Sequence, residues 1–140
     1  MGIHCHLTFD GNCEEAMREY RRLLGGDIVT MLTFGDSPLK DEVSAEWRER
    51  IVHATLKLDG QELLGSDAFP GTYSEPDGFF VTHSLGSLSK AREIFDDLSR
   101  GGHVIMPFQN TFWSPGFGVV VDRFRIPWEI NCDSSDESKP

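Results

Sequence analysis

Among the ionisable side chains of this 140-residue chain that fall inside a strand pattern, His4, His6, His53 and Glu129 are the candidates for chemistry. Imidazoles and carboxylates are the groups that move protons or hold a metal ion. Glu129 lies in the stretch FGVVVDRFRIPWEINC, residues 117–132. There Ile126, Trp128 and Ile130 alternate with Pro127, Glu129 and Asn131, the period of two that gives a strand two different faces. With the apolar set on a core, Glu129 projects from the opposite face. A carboxylate there meets water or a partner, because an unpaired buried charge is very costly.

The elements that must position these groups follow from periodicity. IHCHLTF, residues 3–9, alternates Ile3, Cys5, Leu7 and Phe9 with His4, His6 and Thr8, so it reads as a strand. Asn12, followed by Glu15, predicts a capped helix with an apolar stripe at Cys13, Ala16, Met17, Tyr20, Leu23 and Leu24. Gly25-Gly26 ends it. Strands are predicted at 27–34, 50–58 and 61–66, the last two joined by the hairpin signal Asp59-Gly60. Residues 35–48 read as a long acidic loop, a candidate lid or exchange segment, with a short helical turn near 45–47. Residues 68–78, with their Pro and Gly, read as a linker.

The same grammar then repeats. A strand at 79–85 precedes a helix capped by Ser87 or Ser89, with apolar positions Leu88, Ala91, Ile94, Phe95 and Leu98. Gly101-Gly102 ends it, and strands follow at 103–108, 118–121 and 126–132. The double-glycine stops, Gly25 and Gly101, are 76 residues apart, so each half is a βαβββ unit. The expected fold is α+β, one domain over residues 1–132 built from half-modules at about 1–67 and 79–132, with a disordered acidic tail at 133–140. Applied to His53, the 76-residue period lands on Glu129, which predicts matched positions for the two.

Composition removes other classes. The chain is 39% hydrophobic and 26% charged with a net charge of −10, which argues against a nucleic-acid surface. No run approaches the roughly 18 apolar residues of a membrane span. Cys5, Cys13 and Cys132 form no CxxC pair and no signal-like start is present, so a reduced, cytoplasmic protein is expected. His83 and His103 read as surface or packing histidines.

TFDGNCEEAMREYRRLLGG, RIVHATLKL, LLGSD and MPFQNTFWSPGFGVVVDRFRIPWEINC, together spanning most of residues 3–132, resemble the PhnB-like branch of the vicinal oxygen chelate superfamily. That superfamily includes glyoxalase I, bleomycin-resistance proteins and extradiol dioxygenases. The resemblance implies the glyoxalase/bleomycin-resistance fold. It also implies metal-ligand positions near Cys5 or His6, at His53, near Phe80 and at Glu129. Phe80 cannot bind a metal, and Arg123-Phe124-Arg125 departs from the RFG usual in this branch. A 3-demethylubiquinone methyltransferase label often given to this branch finds no Gly-rich strand–turn–helix here.

On the resemblance, His6 (or His4 or Cys5), His53 and Glu129 would hold a divalent Fe, Mn, Ni or Zn ion, with Glu129 as the catalytic carboxylate. The protein would then be a lyase, isomerase or dioxygenase acting on a small vicinal-oxygen metabolite. The alternative is a metal-free module that captures a small molecule, with Phe108, Gln109, Trp113 and Trp128 as substrate-binding residues beside Phe112 and Phe117. A homodimer is implied by the family; neither nucleic acid nor membrane is an expected partner.

Overall fold

The alternation around Leu7 and Phe9 builds the first strand, and its apolar face meets the first helix. The computed structural model describes residues 2–133, so the tail expected to be disordered lies, from 134 on, outside the described residues. The chain divides into two compact units, Met1–Ser74 and Glu75–Pro140. The first contains β1 (Cys5–Phe9), α1 (Cys13–Leu24), β2 (Asp27–Thr33), β3 (Ile51–Leu58) and β4 (Gln61–Asp67). Its sheet runs β1-β4-β3-β2, with β1 parallel to β4 and the other pairs antiparallel. Between β2 and β3 the acidic segment forms three short 3-10 turns, Phe34–Asp36, Lys40–Glu42 and Ala45–Glu49.

Helix α1 buries Cys13, Ala16, Met17, Tyr20 and Leu23, the predicted stripe, against one face of this sheet. Gly65 sits under the helix; a Cβ there would lie 3.0 Å from Met17 Sδ and 3.3 Å from Cys13 Sγ. The N-terminus differs from the sequence expectation. Asn12 makes no side-chain cap. Asp67 at the end of β4 replaces it, accepting from Cys13 N at 2.9 Å and from Ile51 N at 2.8 Å. One buried carboxylate therefore ties α1, β3 and β4 together. Burial raises its pKa from the ordinary value, and the N–H groups of Ile51, Cys13 and Gly11 and the charge of Arg50 oppose that rise.

The second unit contains β5 (Val81–Leu85), α2 (Leu88–Ser99), β6 (His103–Gln109), β7 (Phe117–Val121) and β8 (Pro127–Cys132). Its sheet order, β5-β8-β7-β6, repeats the first unit strand for strand, with β5 parallel to β8. Here Ser87 caps the helix with its own hydroxyl, accepting from Lys90 N at 3.2 Å. Ala91, Ile94, Phe95 and Leu98 form the buried stripe. The β7–β8 turn is built on buried Asp122. Its Oδ1 accepts from Phe124 N at 2.8 Å and Ile126 N at 3.0 Å, and its Oδ2 accepts from Trp128 Nε1 at 3.0 Å.

The repeat corrects one expectation. His53 lies on β3, whose counterpart is β7, whereas Glu129 lies on β8, the counterpart of β4. Cys5 and Val81 open their units 76 positions apart, but Ile51 and Phe117 are only 66 apart. The segment from Phe34 to Arg50 is longer than the one from Asn110 to Gly116, so a constant period fails beyond it. With His6 and Thr82 matched, the ladders put Leu64 opposite Glu129 in the repeat and Phe117 opposite His53.

Candidate functional site

In each unit the helix covers one sheet face, and alternation sends the intervening side chains to the other, open face. On β1, Leu7 and Phe9 are buried beneath α1, so His6 and Thr8 point to the open face. His6 Nε2 lies 2.9 Å from Ser66 Oγ on neighbouring β4. His53 shares this face from β3, its Nε2 3.4 Å from Thr55 Oγ1, and the His6 and His53 ring centroids are 6.4 Å apart. His4 lies 3.9 Å from Glu62. Burial first, and then the neighbouring His53, lowers the His6 pKa, which favours the neutral imidazole. Cys5 alternates with His6 and so shares the face of Leu7; burial raises its pKa. Cys13, buried at the start of α1, is pushed further up, so neither thiol is poised as a nucleophile.

Glu129 occupies the open face of the second unit, between Thr82 on β5 and Val119 on β7. Thr82 Oγ1 donates to Glu129 Oε1 at 2.8 Å. Two residues along β8, Asn131 Nδ2 donates to Ser84 Oγ at 3.4 Å. Phe117 pairs with Asn131 across β7 and β8 and with Gln109 across β6 and β7. The Trp113 ring stands edge-on to Phe117 with centroids 5.2 Å apart, and Phe112 packs on Trp113 at 4.6 Å. Phe112 and Trp113 are nevertheless 96% and 49% exposed. Toward the start of β5 lies a cavity of about 440 Å³ whose walls include Phe79, Phe80, Ile105, Val121 and Pro127. Glu75, Asp77 and Arg125 also border it.

The expected ligands therefore separate by unit. His6 and His53 come together on one face of the first, and Glu129 stands on the open face of the second. Among the described residues no three His, Cys, Asp or Glu side chains gather in either unit. Of the expected lining, Gln109 and Trp113 border the open face. Phe108 and Trp128 lie elsewhere. Phe108 is buried beside Phe95, centroids 5.6 Å apart, with Arg92 over its ring, and Trp128 is 1% exposed on the face opposite Glu129. Ser66 and the Thr82–Glu129 bond escaped the sequence reading because each depends on pairing the first strand of a unit with its last. The cavity escaped it too, since residues 75–78 read as linker and Phe79 and Phe80 as the start of a strand.

The fold and its surface can be set beside known proteins. Protein PA1353 from Pseudomonas aeruginosa is 38% identical, covering 95% of this chain and 98% of that one, and its crystal structure superposes with a TM-score of 0.87. The PhnB protein from Bacillus cereus shares the fold, with a TM-score of 0.80 at 22% identity over 94% of this chain and 99% of that one. Protein YjdN of Escherichia coli K12 is 33% identical over 139 residues, 94% of this chain and 95% of that protein. This chain belongs to the PhnB-like branch of the vicinal oxygen chelate superfamily. No protein-family model matches it. This PhnB-like chain shares with those neighbours two four-stranded sheets, each backed by a helix. Among the described residues no helix is long and apolar enough to cross a membrane.

Proposed function

We propose that this PhnB-like protein captures a small, partly aromatic molecule over the open face of its second unit, without needing a metal to do so. The observation that carries this reading is the edge-to-face stack of exposed Phe112 and Trp113 on half-buried Phe117, at one end of a sheet face that also holds Glu129, Thr82 and Asn131. Rigid aromatics left in water cost solvation that a planar ligand would recover, and a few convergent polar groups would orient it. Saturation-transfer NMR with a panel of small aromatic compounds tests it. Hits should lose at least about tenfold in affinity in Trp113→Ala, the scale of one lost aromatic contact. A panel with no hits at millimolar concentration, or hits indifferent to Trp113 and Phe117, overturns it.

The pairing of His6 with His53 favours a second reading, metal-assisted chemistry on a small oxygenated metabolite. Two imidazoles on one face suit Zn, Ni, Mn or Fe, with the remaining positions open to water and substrate oxygens. The ion would act there as a Lewis acid or oxygen-activating centre. The residues' own part would be to bind through neutral imidazole nitrogens, which the lowered His6 pKa favours. Metal content by mass spectrometry decides this. Near-stoichiometric metal lost in a His6→Ala, His53→Ala double variant supports it. Metal-free protein after reconstitution with Fe(II), Mn(II), Ni(II) and Zn(II) sinks it. Light scattering of the same samples tests the homodimer.

A further inference from the structure

We infer that the molecule captured by the second unit is an organic cation, an amine carried on an aromatic or apolar body; this rests on the capture reading above. The four strands of that unit read VTHSL, HVIMPFQ, FGVVV and PWEINC. They contain no lysine or arginine and one carboxylate, Glu129. Glu129 is placed on the open face, and its Oε1 accepts from Thr82, while a carboxylate's second oxygen has lone pairs for a further donor. Its flanking neighbours on that face are Thr82, Val119, Pro127 and Asn131. A ligand anion brought over this face would meet a like charge with no strand cation to offset it. A protonated amine would meet a carboxylate and, on either side, aromatic faces.

The cavity gives that ligand its body. Pro127 lines it, and Glu129 stands two residues further along the same face of β8, about 7 Å away at strand rise. Phe79 and Phe80, 41% and 44% exposed, form walls whose π-faces attract cations. Its volume of about 440 Å³ suits a compact organic molecule. The charges at its border are two acids against one base. Arg125 Nε lies 3.9 Å from Glu75 Oε1, and Asp77 Oδ1 accepts from Gly78 N at 2.9 Å. The matched face of the first unit differs, since Leu64 stands where Glu129 does and a carboxylate there, Glu62, pairs with Lys57 across β3 and β4.

The test uses the full chain and two probes of similar size and opposite charge, tryptamine and indole-3-propionate, followed by titration calorimetry at low and high NaCl. Tryptamine should bind at least about tenfold more tightly than indole-3-propionate, and its advantage should shrink as salt screens Glu129. Glu129→Gln, which keeps an acceptor for Thr82, should bring the two probes together. Because the preference is read first in the unaltered protein, a variant that misfolds does not spare the inference. Equal binding of both probes, or a preference for the carboxylate, overturns the cation while leaving capture standing. Failure of both probes and of neutral 3-methylindole overturns both.

Discussion

The two units share one connectivity and solve the same structural problems with different residues. In the first, the helix start is held by Asp67 from the end of β4; in the second, Ser87 caps its own helix and Cys132 fills the position matched to Asp67. The second spends its buried aspartate elsewhere, on the β7–β8 turn, where the first needs only Asp59-Gly60 with φ of 49° and 80°. The helix seat differs as well. Ala54 faces Gly65 under α1, and Gly118 faces Ile130 under α2, so the small residue has moved from the fourth strand to the third. The packed face constrains size and period, and any residue meeting those limits is tolerated. The open face is under no such limit, and there the units diverge into histidines on one and a carboxylate with aromatics on the other.

The sharpest way to break this comparison is to remove the buried aspartate of the second unit. Asp122→Ala strands two backbone N–H groups and the Trp128 indole N–H inside the second unit, and should cost about 3–5 kcal/mol. Urea unfolding followed by circular dichroism measures it; a loss below about 1 kcal/mol would mean that water replaces the carboxylate at little cost. The helix seats come next. A Cβ on Gly118 would stand 2.5 Å from Phe95 Cε1 and 3.0 Å from the Phe108 backbone. Neither a ring fixed in the core nor a main chain gives way easily, so Gly118→Ala should cost about 2–3 kcal/mol. Gly65→Ala meets chiefly the end of Met17, an adaptable side chain, and should cost about 1 kcal/mol or less. Equal costs would show that the seats are interchangeable.

What the sequence made legible tracks how local the signal is. Both helices follow from their 3.6-residue stripes, and the strands from alternation and turn residues, to within a residue or two at most ends. The opposed faces of Trp128 and Glu129 were readable from period two alone. Long-range features were not. Asn12 has the right chemistry and place for a cap, but Asp67 lies 54 residues from Cys13 and only the sheet brings it there. His53 and Glu129 were paired by a period that the segment between β2 and β3 interrupts. Phe108 shares its composition with the lining aromatics, and only the strand irregularity between Met106 and Gln109 shows which way it turns. For the candidate site, residue types were visible in the sequence, but partners such as Ser66 and Thr82 required the parallel pairing of first and last strands.

The smallest expected effect sharpens the comparison through pH. Asp67 is 3% exposed, and burial raises its folded pKa above the usual 3.8 despite the N–H groups that oppose the shift. An acid whose folded pKa is raised binds its proton more tightly in the native state than in the unfolded one. Its contribution to stability is therefore complete below about pH 3.8 and declines as pH rises through the higher folded value. Asp67→Asn removes the titration and keeps one acceptor oxygen for Cys13 or Ile51. The stability of the natural protein relative to this variant should fall as pH rises above 3.8, then level off once Asp67 is ionised in both states. Cys132→Ser, at the matched position of the second unit, should leave the shape of the pH profile unchanged. An Asp67→Asn profile parallel to that of the natural chain would mean that the backbone N–H groups and Arg50 fully offset the burial, and that the two helix starts differ in geometry but not in charge.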